Sequence, residues 1–84
     1  MISREQMRAA RGLLDWSQKK LAAAAGLSVP TIKRAERDLG PVVSVEALAT
    51  VKHALEKAGV EFIDENGGGA GVRLRKPGGR PSFL

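Results

Sequence analysis

The chain has 84 residues, 43% of them hydrophobic and 27% charged, which points to one small globular domain and argues against wholesale disorder. With no cysteine and a single histidine, it has no disulfide or thiolate chemistry and too few ligands for a transition-metal site. The formal net charge of +5 favours a polyanionic partner, and eight cations against four anions in residues 1–40 place nearly all of the excess in the N-terminal half.

The first helix is expected from about Ser3 to Arg11. Ser3 and Gln6 have the spacing of a capping box, and Ile2, Met7, Ala10 and Leu14 would face the core. A second helix starts at Ser17, whose hydroxyl can accept from a free backbone N–H of the first turn. Trp16 before that cap and Leu21 after it have the spacing of a hydrophobic staple, so the lone Trp reads as a core anchor and not as a base-stacking group. Gly26 ends this helix, where a left-handed residue is usually required. A third helix starts at Ser28, with Leu27 and Ile32 repeating the staple and Pro30 in the first turn, where a missing N–H costs little.

Ser44 caps a fourth helix that runs to about Ala58 and stops at Gly59. Leu48, Val51, Leu55 and Ala58 form its apolar stripe. Beyond Gly59 the period changes. Val60–Ile63 and Val72–Arg75 read as the strands of a β-hairpin around a glycine-rich turn, with Val60, Phe62, Val72 and Leu74 inward. The expected fold is mainly α: a four-helix helix-turn-helix domain over residues 1–58, then a C-terminal β-hairpin over 59–76 and a flexible basic tail over 77–84. No segment has the length and apolarity of a membrane span, and the N-terminus lacks the apolar run of a signal peptide, so a cytoplasmic protein is expected.

Residues 16–36 carry the functional signal. Two short helices joined by a tight turn, with small residues Ala22, Ala25 and Gly26 at the crossing, make a helix-turn-helix, whose second helix enters the major groove of DNA. At helical spacing Ile32 and Ala35 face inward, while Val29, Lys33 and Arg37 fall on the opposite side with Pro30 and Arg34 beside them. Arg34 is the best candidate for a base contact because its planar fork matches guanine O6 and N7. Val29 and Pro30 have no donors and would contact a thymine methyl or exclude water. Ser17, Gln18 and Ser28 lie at helix N-termini, where free N–H groups and the helix dipole favour an anion. With Lys19 and Thr31 they form the expected set of phosphate contacts. The run Gly67-Gly68-Gly69-Ala70-Gly71 lacks the ending of a P-loop and joins strands, so it reads as a hairpin turn. No nucleophile–base pair is evident, and neither an enzyme nor a cofactor is expected.

The stretch from Trp16 to Glu36 resembles the Xre/Cro-type helix-turn-helix family of phage and bacterial transcription regulators, through Ser17-Gln18, Leu21-Ala22, Ala25-Gly26, Ser28, Thr31-Ile32 and Glu36. With the first and fourth helices, the resemblance covers about 58 residues. It implies a compact helical domain acting as a homodimer on a two-fold symmetric duplex operator. It further implies phosphate contacts from Gln18 and Ser28, and base-facing positions at Val29, Pro30, Lys33 and Arg34. A structural ion pair between Arg11 and Glu36 is implied as well. The family commonly has a fifth helix that helps dimerisation. Here a hairpin stands in its place, and Val60, Phe62, Ile63, Val72 and Leu74 are the expected dimer contacts through exposed strand edges. Repression is favoured, because the second helix carries Lys19 and Lys20 and no acidic patch for RNA polymerase. The alternative is a protein-interaction module, such as an antitoxin with a toxin partner.

Overall fold

A computed structural model describes residues 2–37 and 42–75. Its elements, in chain order, are helices α1 (Arg4–Leu13), α2 (Gln18–Ala25), α3 (Val29–Arg37) and α4 (Val45–Lys57), followed by strands β1 (Val60–Ile63) and β2 (Gly71–Leu74). The expected mainly α fold with a C-terminal hairpin is the one observed. The expected basic tail lies outside the described residues.

Each helix starts where a hydroxyl replaces a missing backbone partner. The Ser3 Oγ accepts from the Gln6 N–H at 3.0 Å, and the Gln6 side chain accepts from the Ser3 N–H at 2.9 Å, which closes the capping box. The hydroxyls of Ser17, Ser28 and Ser44 accept from the N–H groups of Lys20, Thr31 and Ala47. Gly26 ends α2 with φ 69°, as its position suggests.

The end of α1 is less obvious from sequence, and the helix runs two residues past Arg11. Asp15 takes the left-handed conformation at φ 55°. The Trp16 N–H then donates to the Arg11 carbonyl at 3.0 Å, and the Asp15 N–H to the Gly12 carbonyl at 3.1 Å. This is the Schellman pattern built on an aspartate, one of the few residues besides glycine that visits this region routinely.

The core consists of Ile2, Met7, Ala10, Leu21, Ala22, Ile32, Val51, Leu55 and Val60. Trp16, Leu14, Leu27, Ala35, Leu48, Phe62 and Val72 pack around it. Every helix and the first strand therefore contribute to one apolar centre. The strands are antiparallel with Val60 opposite Leu74, Glu61 opposite Arg73, Phe62 opposite Val72 and Ile63 opposite Gly71. The second strand begins one residue before the expected Val72, but the pairing keeps Val72 and Leu74 on the face shared with Val60 and Phe62.

The hairpin is tied to α1 by one buried side chain. The Gln6 Nε2 donates to the Gly71 carbonyl at 3.0 Å and to the Ile63 carbonyl at 3.4 Å. Leu74 departs from its expected inward place, with 51% of its surface exposed. It lies at the end of β2 away from the Gly71 carbonyl that Gln6 holds.

Candidate nucleic-acid interface

The α2–turn–α3 unit owes its geometry to a carboxylate. Glu36, with 1% of its side chain exposed, accepts from Arg11 Nε at 2.8 Å and from a terminal nitrogen of Arg11 at 3.0 Å. Arg11 also donates to the Trp16 carbonyl at 2.9 Å. One guanidinium thus joins the body of α1, the linker before α2 and the far end of α3, in the bidentate fork that arginine geometry favours. The Gln18 Nε2 donates to Glu36 Oε1 at 3.1 Å, so the first residue of α2 is anchored to the same carboxylate. The amide has a second N–H, which Glu36 leaves uncommitted. Arg8 donates to the backbone carbonyl of Glu36 and so caps α3, a place where a cation also meets the negative end of the helix dipole.

On α3, Ile32 and Glu36 are buried and Ala35 is half-buried, so this side faces the body of the protein. Pro30, Lys33 and Arg37 are exposed and follow one another at intervals of three and four residues, which aligns them on the outer face. Val29 does not join them as expected. It is half-buried against the core, because it stands three residues before Ile32 on the same side of the helix.

Arg34 is half-buried beside the outer face. A terminal nitrogen of its guanidinium donates to the Thr31 Oγ1 at 3.3 Å, and Thr31 shares a 2.8 Å hydrogen bond with the Ser28 hydroxyl. The Arg34 Nε is buried with no hydrogen-bond partner. An unsatisfied N–H of this kind costs about 1–3 kcal/mol, so the side chain gains when it finds an acceptor. Ser17, Lys19 and Ser28 are exposed at the two helix starts. Lys20 lies with its Nζ 5.7 Å from the centroid of the Trp16 ring, which packs on the core as its staple position suggests.

The arrangement therefore presents a helix with a cationic, solvent-facing side, and exposed serines at the starts of α2 and α3. Its width suits a major groove, and its free donors suit phosphate and base edges. Two connections had no signal in the sequence. The link from Gln18 to Glu36 joins residues 18 apart, and the Arg8 cap depends on how α1 crosses α3.

At the hairpin, Phe62, Ile63 and Val72 are half-buried and Leu74 is exposed. Val60, expected among the dimer contacts, is fully buried in the chain's own core, where it follows directly on α4. With no exposed surface, it is inaccessible to a second copy. His53 is exposed on α4. Among the described residues, no helix is long and apolar enough to cross a membrane.

The family model described as helix-turn-helix matches residues 7–58, which span most of α1 and all of α2, α3 and α4. No curated protein matches the chain.

Proposed function

Because this chain belongs to the Xre/Cro-type helix-turn-helix family of DNA-binding regulators, we propose that it is a cytoplasmic repressor that binds a palindromic duplex operator as a homodimer. The observation that carries this reading is the outer face of α3, where Pro30, Lys33 and Arg37 stand exposed with Arg34 beside them. Lys33, Arg34 and Arg37 supply base-edge donors, and Pro30 supplies apolar contact to thymine methyls. Ser17, Lys19, Ser28, Thr31 and the second N–H of Gln18 hold phosphates on either side and set the register.

Dimerisation falls to the hairpin. Its two strands form a sheet with two outer edges, which offer backbone groups to a second copy, and the exposed Leu74 adds apolar surface. A palindromic operator requires two copies paired there to set their α3 helices about 34 Å apart, one turn of DNA. Leu74→Glu is surface-exposed in the monomer and so leaves the core intact. It is expected to shift sedimentation toward monomer and weaken operator binding.

The functional test is selection of bound duplexes from a random pool. A two-fold symmetric consensus supports the reading. Enrichment of no sequence over the starting pool refutes it.

A further inference from the structure

Arg34 is held in place within α3. A terminal nitrogen of its guanidinium donates to the Thr31 Oγ1 at 3.3 Å, one turn back on the same side of the helix. The Thr31 hydroxyl in turn lies 2.8 Å from the Ser28 Oγ, and the Thr31 backbone N–H donates to that same serine oxygen at 3.2 Å. A hydroxyl has one proton and two lone pairs. Accepting from a cation makes the Thr31 O–H the stronger donor of the two hydroxyls, so its proton goes to Ser28. Both lone pairs of Ser28 are then taken by Thr31, and its own proton is free for an acceptor outside the exposed start of α3. The bonds therefore run one way, from Arg34 through Thr31 to Ser28. Among the described residues Arg34 makes no other side-chain hydrogen bond: its Nε is buried without a partner, and its second terminal nitrogen keeps both N–H groups.

We propose that Thr31 is a positioning residue for base reading: it holds the Arg34 guanidinium in one orientation and ties it to the DNA phosphate that Ser28 takes. The inference rests on α3 being the DNA-reading helix and on Arg34 contacting a base. An arginine side chain has many rotamers, and a fork already held in place loses less freedom when it meets guanine O6 and N7. Thr31 occupies one N–H and leaves the second terminal nitrogen for the base edge. A phosphate oxygen that accepts the Ser28 proton strengthens the bonds behind it, because hydrogen bonds in series polarise one another. Backbone contact at the start of α3 and base contact further along the helix thus act as a unit. The Thr31 hydroxyl touches neither phosphate nor base, and its share in holding phosphate passes through Ser28.

The test uses the full chain, the selected operator, its single-base variants and a random-sequence duplex, with affinities read by competition anisotropy. Thr31→Val keeps the branched shape and removes the hydroxyl, whereas Thr31→Ser keeps the hydroxyl. Thr31→Val is expected to lower preference at the base pair read by Arg34 by about fivefold or more, with preference at other positions as in the wild type. Thr31→Ala, which also lacks the hydroxyl, should match it, so that a packing fault in either variant is recognised. Thr31→Ser should keep the wild-type preference to within about twofold. In an Arg34→Ala background, Thr31→Val should change preference at that base pair no further. If folded Thr31→Val and Thr31→Ala weaken the operator, its base variants and the random duplex by one common factor, Thr31 is a plain phosphate contact and the proposal is overturned. A Thr31→Val effect of full size in the Arg34→Ala background would overturn it also. If Arg34→Ala itself leaves every base preference unchanged, the assignment of Arg34 as a base reader fails, and the positioning role with it.

Discussion

Replacing Arg11 by Met tests how far one ion pair holds the DNA-reading unit together. Glu36 is 1% exposed and takes two of its three side-chain hydrogen bonds from Arg11, the third coming from Gln18. Arg11→Met leaves that carboxylate buried with a single amide donor, a situation that costs about 3–5 kcal/mol. Glu36→Leu is expected to cost less, about 2–3 kcal/mol. Arg11 is 24% exposed, so water can reach it, and it keeps its bond to the Trp16 carbonyl. The double variant removes both charges and puts apolar groups in their place, which relieves part of the penalty. We therefore expect its loss to fall below the sum of the single losses by about 2–3 kcal/mol. A domain of this size has roughly 4–13 kcal/mol of stability in total, so Arg11→Met removes a large share of it and, at the lower end of that range, brings the chain near unfolding. Urea titrations followed by circular dichroism supply the three values. Losses that add to within about 0.5 kcal/mol would refute the coupling.

Three further outcomes follow from named contacts. Arg34→Ala should lose about 1–3 kcal/mol of discrimination at one base pair per half-site, whereas Gln18→Ala should weaken all duplexes alike; competition titrations with single-base operator variants separate the two. Gln6→Ala removes the side-chain half of the capping box, leaving the backbone N–H at that position bonded to Ser3, together with the bonds to Gly71 and Ile63, and should cost about 1–3 kcal/mol. Hydrogen exchange should then be accelerated in the hairpin amides before those of α2, and unchanged hairpin protection would contradict the tie. Asp15→Gly relieves the left-handed conformation and should raise stability by about 0.5–1 kcal/mol, seen as a higher melting temperature. A lower melting temperature would show that the aspartate side chain contributes more than its backbone costs.

Local rules made much of this fold legible. Ser3, Ser17, Ser28 and Ser44 mark helix starts because each hydroxyl has one nearby backbone donor to satisfy, and Gly26 marks an end because a side chain resists its φ. Ile32, Val51 and Leu55 reveal their burial through helical spacing alone. Contacts that depend on how elements cross are harder to see. Val29 has outward neighbours in the sequence, yet the crossing of α3 draws it to the core. Leu74 alternates correctly but is exposed, and Val60, read correctly as inward, is buried too completely to make the dimer contact also expected of it. The same limit applies to the interface. Lys33 and Arg37 follow from periodicity, whereas the Arg8 cap on the Glu36 carbonyl exists only once α1 lies across α3.

The central claim is that the outer face of α3 reads duplex DNA. Its most direct test compares wild-type chain with Lys33→Ala/Arg34→Ala on the selected operator and on a scrambled duplex of the same composition, by anisotropy at fixed salt. The account predicts that the wild type prefers the operator by about 10³-fold or more, and that the double variant binds both duplexes at the non-specific level while keeping its fold. A folded double variant that retains the wild-type preference, or a wild type that binds the two duplexes equally, would contradict it.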